Sequence, residues 1–163
     1  MISIRKIISG GQTGVDRAAL DAALTNDIEI GGYVPRGRLA EDGRIPERYT
    51  GLIETNSENY SERTHLNVVN SDATLVLTNG EPVGGSKLTA DLAAEYQKPL
   101  LHIDIGSSES KELLAAALEW IQEVRPAVLN IAGPRASEEP AIYGPAFELL
   151  NNVIKKAGRK RPA

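Results

Sequence analysis

Short apolar runs alternate with amphipathic helical segments from one end of this chain to the other. The runs fall at residues 4–9, 28–33, 52–54, 73–78, 99–105 and 128–132, and each is expected to form a strand. Helical stripes fall over 15–25, 60–70, 88–97, 110–124 and 145–156. In the fourth of these, Leu113, Leu114, Ala117, Leu118 and Ile121 recur at helical spacing, which puts one apolar face against a sheet. The runs are continuously apolar rather than alternating, as strands covered on both faces must be. The pattern predicts a single α/β domain, a Rossmann-like doubly wound parallel sheet with helices on both faces, over residues 1–157. The basic residues 158–163 read as a solvated, frayed tail beyond a helix end. A sheet of this kind with right-handed crossovers predicts the strand order 3-2-1-4-5-6.

Glycine-rich turns follow two of the runs. Gly10-Gly11-Gln12-Thr13-Gly14 comes after Ile7-Ile8, and Gly84-Gly85-Ser86-Lys87-Leu88-Thr89 comes soon after Leu75-Val76-Leu77. A glycine turn that opens a helix lets backbone N–H groups approach a ligand, and the helix N-terminus adds partial positive charge. In the expected order the two turns are neighbours at a topological switch point, where open α/β sheets bind ligands. Neither turn is a dinucleotide fingerprint, because Gly-x-Gly-x-x-Gly is absent. The second turn nearly makes a P-loop from Gly80 and Gly85. However, Ser86-Lys87 follows where Lys-Ser or Lys-Thr is needed, so the lysine points away from the phosphates.

The first turn belongs to a longer block, Gly-Gly-Gln-Thr-Gly-Val-Asp-Arg-Ala-Ala-Leu-Asp at residues 10–21, which resembles the signature of the molybdenum cofactor carrier proteins. Further blocks agree in order: residues 32–38, 60–64, 67–69, 71–74 and 84–89. The resemblance runs from Ile7 to Leu150. It implies binding, storage, protection and delivery of molybdenum cofactor, a phosphorylated pterin dithiolene carrying oxo-molybdenum. It also implies a homotetramer, with molybdoenzymes as recipients. More distant relatives are the lysine-decarboxylase-like nucleotide hydrolases that release cytokinin bases. Their Pro-Gly-Gly-x-Gly-Thr-x-x-Glu motif is broken here. Val83 precedes the glycines, Lys87 replaces the third glycine, and Asp91 stands where the longer glutamate belongs.

Charge and composition narrow the chemistry. A net charge of −4 argues against broad nucleic-acid binding. The absence of cysteine removes disulfides, thiolate metal sites and cysteine nucleophiles. His65 and His102 are dispersed and read as structural, so no protein-ligated metal is expected. No apolar stretch approaches the ~18 residues of a membrane span. The glycine turn at Gly10 leaves no room for a signal-peptide core, so a cytoplasmic location is expected.

The candidate cofactor-binding residues are therefore Gly10, Gly11, Gln12, Thr13, Gly14, Arg36, Arg38, Arg63, Gly84, Gly85, Ser86, Lys87, Thr89 and Arg135. Hydroxyls and arginine forks suit phosphate, molybdate and tungstate oxyanions. Arg63 falls early in a helix, where a cation opposes the dipole, a placement that points beyond helix stability. Asp16 sits in a first helical turn, where a carboxylate is electrostatically at home, and is read as structural. No catalytic residue is assigned. The competing functions are a nucleotide N-ribosyl hydrolase acting through Asp91, and a nucleotide-sensing domain without catalysis.

Overall fold

The computed structural model describes residues 4–163. The chain runs β1 (Lys6–Ile8), α1 (Val15–Thr25), β2 (Glu29–Val34), β3 (Leu39–Ala40), β4 (Gly43–Arg44), β5 (Leu52–Glu54), α2 (Tyr60–Val69), β6 (Ala73–Thr78), α3 (Gly84–Glu95), β7 (Leu100–Asp104), α4 (Ser110–Val124), β8 (Val128–Ala132) and α5 (Tyr143–Ala157). Six strands form one parallel sheet in the order β5-β2-β1-β8-β6-β7. The helices α1, α4 and α5 pack together on one face, and α2 and α3 on the other. Every residue of β6 is buried, as its unbroken apolar pattern requires. The core is aliphatic, built from Ile7, Leu20, Leu75, Leu77, Leu129, Ile131 and Leu150, all inaccessible to solvent.

The strand order departs from the expected one. The last strand, β8, inserts between β1 and β6 instead of ending at the edge. The ends of β1 and β6 are therefore not neighbours, and the Gly133-Pro134-Arg135 loop lies between the two glycine turns. Helix α5 then returns the chain to its start. Ile4 N–H donates to Ala157 O at 2.9 Å, and Arg159 N–H donates to Ile4 O at 2.7 Å. Arg161 adds a backbone bond to Asp27 and an ion pair with the Asp27 carboxylate at 3.1 Å. Residues 158–161 are thus tied to the body of the domain, not frayed.

Other differences are local. Helix α3 begins at Gly84 rather than at residue 88. Two glycines weigh against a helix by propensity, yet here they form its first turn, where N–H groups lack intrahelical partners in any case. The long loop after β2 folds into a small antiparallel hairpin of β3 and β4. Asn59 caps α2 by accepting from Ser61 N–H at 2.9 Å.

Candidate anion-binding cleft

A cleft of about 220 Å³ opens above the carboxyl ends of β1, β8 and β6. Gln12 and Asp16 line it from the first glycine turn, and Gly84, Gly85, Ser86 and Thr89 from the start of α3. Tyr60, Arg63 and Thr64 of α2 form a third wall, and Gly133, Arg135 and Glu138 a fourth. The sheet thus brings both glycine turns together, although the loop after β8 separates them.

The two turns are in opposite states. The first is closed on itself. Gly11 N–H donates to Ser9 Oγ at 3.3 Å, Gln12 N–H to Asp16 Oδ2 at 3.2 Å, and Thr13 N–H to Gln12 Oε1 at 3.0 Å. Gly10 N–H also faces the Asp16 carboxylate. A side chain of the protein therefore occupies the place that an external anion would take. Gly14 precedes α1 with φ 80°, and a Cβ there would run into Pro134 O, so only glycine fits.

The second turn is open. No side chain caps α3, and a Cβ added at Gly85 would meet nothing within 4 Å. Ser86 is 4% exposed and lines the cleft. Thr89 Oγ1 donates to Gly85 O at 2.8 Å, which steadies the turn. This uncapped terminus presents backbone N–H groups and the positive end of the helix dipole to the cleft.

Arg63 faces it. Its guanidinium lies flat over Gly10, where a Cβ would collide with it. Nη1 donates to Thr64 Oγ1 at 3.0 Å, and Nη2 stands 3.9 Å from Asp16 Oδ2. Its Nε is buried with no hydrogen-bond partner. An orphaned donor on a charged side chain is costly in a folded protein and is usually relieved by a ligand or water. Burial pushes the Asp16 carboxyl up to about 6, against the opposing pull of Arg63, the Gln12 amide and Arg17. Arg135 Nε lies 3.0 Å from Glu138 Oε1 in poor hydrogen-bonding geometry and is likewise unsatisfied.

The remaining candidates lie elsewhere. Thr13 donates its hydroxyl to Glu41 and accepts from Ala136 N–H at 3.0 Å. Glu41 also takes Ser137 N–H at 3.0 Å, so the β3–β4 hairpin is clasped to the loop after β8. Burial raises the Glu41 carboxyl, but the Ser137 and Thr13 hydroxyls outweigh it and hold the group below its ordinary value. Arg38 is buried and donates to the carbonyls of Ile45, Pro46 and Tyr49, so it closes its own loop. Arg36 is exposed beside Glu58, and Lys87 is exposed and paired with Asp91 at 2.8 Å. Gly11 packs against Ile45. His65 meets Tyr96 Oη at 2.8 Å and His102 meets Thr78 Oγ1 at 2.6 Å, both as structural partners.

Sequence reasoning did not select Asp16, Tyr60 or Glu138 as lining residues. Asp16 did carry a signal: its spacing after a glycine turn lets its carboxylate reach back to the turn's own amides. Among the described residues no cluster of histidine and carboxylate groups is arranged to hold a metal. Among the described residues no helix is long and apolar enough to cross a membrane.

Comparison with known proteins agrees with this architecture. No match was found among curated proteins. A solved structure, the "putative molybdenum carrier protein" of Syntrophus aciditrophicus, is 48% identical, covers 94% of this chain and 96% of its own, and superposes with a TM-score of 0.91. The profile of the circularly permutated YpsA SLOG family matches residues 7–154. Permutation accounts for the strand order. If α5 were joined to β1 and the chain cut before β8, the sheet would read 4-3-2-1-5-6, and the adjacency of Ile4 and Gly158 makes that join short. The alternating pattern, the parallel sheet and the match along nearly the whole sequence together place this chain in the circularly permutated YpsA SLOG family.

Proposed function

We propose that this protein is a molybdenum cofactor carrier that binds the anionic end of its cargo in the cleft between α3 and Arg63. One observation carries the reading. The N-terminus of α3, without a side-chain cap, and Ser86 share one cleft with the Arg63 guanidinium, whose buried Nε lacks a partner. Backbone amides, a hydroxyl and an arginine fork converging on one space favour a phosphate or a molybdate-like oxyanion. The name of the Syntrophus aciditrophicus relative supports molybdenum as part of the cargo. At about 220 Å³ the cleft is smaller than the ~300–1,000 Å³ that encloses a whole small ligand. It seats one end of the cofactor and leaves the rest to an outer surface. The protein then stores and shields the cofactor and hands it to molybdoenzymes, as a cytoplasmic homotetramer. Molybdate, tungstate and phosphate compete for the same cleft.

The cleft does not favour the hydrolase reading. Asp91, where the hydrolase motif has its glutamate, is outside the cleft and exposed, with its carboxylate held by Lys87. A general acid or base must reach the proton that it transfers.

The test is anaerobic titration with freshly released molybdenum cofactor, beside an assay of base release from a nucleoside monophosphate. Saturable binding with slowed cofactor decay and no released base is the expected result. Base release without cofactor binding would overturn the carrier reading.

A further inference from the structure

We propose that Glu138 is a built-in competitor for the cargo: its carboxylate stands at the start of α3 and swings aside when an oxyanion seats there. The inference rests on the reading of the cleft as an anion site. Ser86 N–H and Lys87 N–H both donate to Val83 O, at 3.1 and 3.3 Å. The amides outside the helix's own ladder are therefore those of Gly84 and Gly85. Glu138 lines the cleft, and its Oε2 lies 3.6 Å from the point that a Cβ on Gly84 would occupy. A carboxylate of the protein thus approaches the glycine turn that Asp16 does not fill.

The fold puts it there. Strand β8 lies between β1 and β6, so the loop that leaves it runs between the two glycine turns. In that loop Arg135 O accepts from Glu138 N–H and from Glu139 N–H, both at 3.0 Å. The tight turn brings Glu138 back beside Arg135, whose Nε is 3.0 Å from Oε1. One carboxylate oxygen faces the arginine and the other faces α3.

The carboxylate is held weakly. Its pair with Arg135 has poor hydrogen-bonding geometry, and Glu41 shares the same guanidinium at 3.7 Å. The Glu138 side chain is 32% exposed, so water screens its attraction to the arginine and to the helix dipole. Asp16 is the contrast: it is 3% exposed, accepts from Gln12 N–H at 3.2 Å, and is a fixture of its turn. An oxyanion seated on the Gly84 and Gly85 amides meets a like charge if Glu138 stays, so binding drives that side chain into solvent. The displacement takes away part of the cargo's affinity. A carrier needs that compromise, because a site that only tightens on its cargo does not release it. Molybdate, tungstate and a phosphate monoester all meet the same carboxylate.

Isothermal titration calorimetry of the intact protein with inorganic phosphate and with molybdate, at pH 7.5 and fixed ionic strength, tests this. Glu138→Gln keeps the shape and removes the charge, and is expected to bind both anions about tenfold more tightly. Glu138→Asp keeps the charge but draws it back by one methylene, and is expected to fall between the wild type and Glu138→Gln. Glu139→Gln removes the same net charge from the adjacent residue, which does not line the cleft, and is expected to stay within about twofold of the wild type. Binding that appears only when Glu138 is neutral also supports the proposal. Equal affinities for Glu138→Gln and Glu139→Gln, or weaker binding by Glu138→Gln than by the wild type, overturn this inference alone. Failure of both anions to bind any of the four proteins overturns it together with the anion-site reading.

Discussion

The burial of Asp16 sets a measurable cost on stability. Its carboxyl moves from 3.8 in the unfolded chain to about 6 in the folded one, with burial as the dominant cause. A shift of roughly two units, at 1.36 kcal/mol each, is about 3 kcal/mol. Between pH 4 and 6 the folded protein holds a proton that the unfolded chain has released. Stability therefore falls as pH rises through this window and levels off above it. Below pH 4 both states are protonated and the cost vanishes. Other carboxylates act in the opposite sense. Arg17 holds Asp42 below its ordinary value, and the Gly80 and Gly106 amides do so for Asp104. The difference between two proteins cancels them. Urea unfolding of the wild type and of Asp16→Asn, followed by circular dichroism at intervals from pH 3.5 to 7.5, isolates the term. The asparagine keeps an acceptor for Gln12 N–H but never ionises. Relative to the wild type it is expected to gain about 3 kcal/mol on going from pH 3.5 to 7.5. A gap that stays constant with pH would refute the assignment of a raised carboxyl to Asp16.

Further outcomes separate ligand contacts from scaffold. Ser86→Ala is expected to weaken phosphate or cofactor binding about tenfold, as loss of one hydrogen bond to a charged group implies, with the melting temperature nearly unchanged; unaltered affinity in a titration would move the site elsewhere. Arg38→Ala is expected to cost about 2–3 kcal/mol in urea unfolding, because three backbone carbonyls lose their donor. Lys87→Ala removes an exposed pair four residues apart on α3, and is expected to change stability by no more than about 0.5 kcal/mol and affinity not at all. Gly14→Ala forces a side chain into φ 80° and against Pro134 O; a thermal melt is expected to show a loss of several degrees.

The sequence pattern made most of the fold legible, because the features that specify it are local. The continuous apolar run of β6 and the amphipathic stripe of α4 each declare their element, and α1, β5, β6, α4 and β8 lie where periodicity puts them. Strand order is not local. Nothing in Val128–Ala132 distinguishes an edge strand from a central one when both faces of every strand are covered. Its position was decided by pairing with β1 and β6, a contact between residues far apart in the chain. The nearest clue was the continuation of the chain beyond α5, where Arg159 and Arg161 supply the bonds that hold the last residues against Ile4 and Asp27.

The site divides along the same line. Residue type identified groups that suit an anion, but it could not say which of them were already spent. Thr13 and Arg38 have the chemistry of ligands and use it on Glu41 and on backbone carbonyls. The first glycine turn has the stronger motif, yet Asp16 fills it; the second has the weaker motif and is open. An internal carboxylate in one turn does more than close it. It sets a buried negative charge 3.9 Å from Arg63, so that the amides left open to a ligand are those at the start of α3.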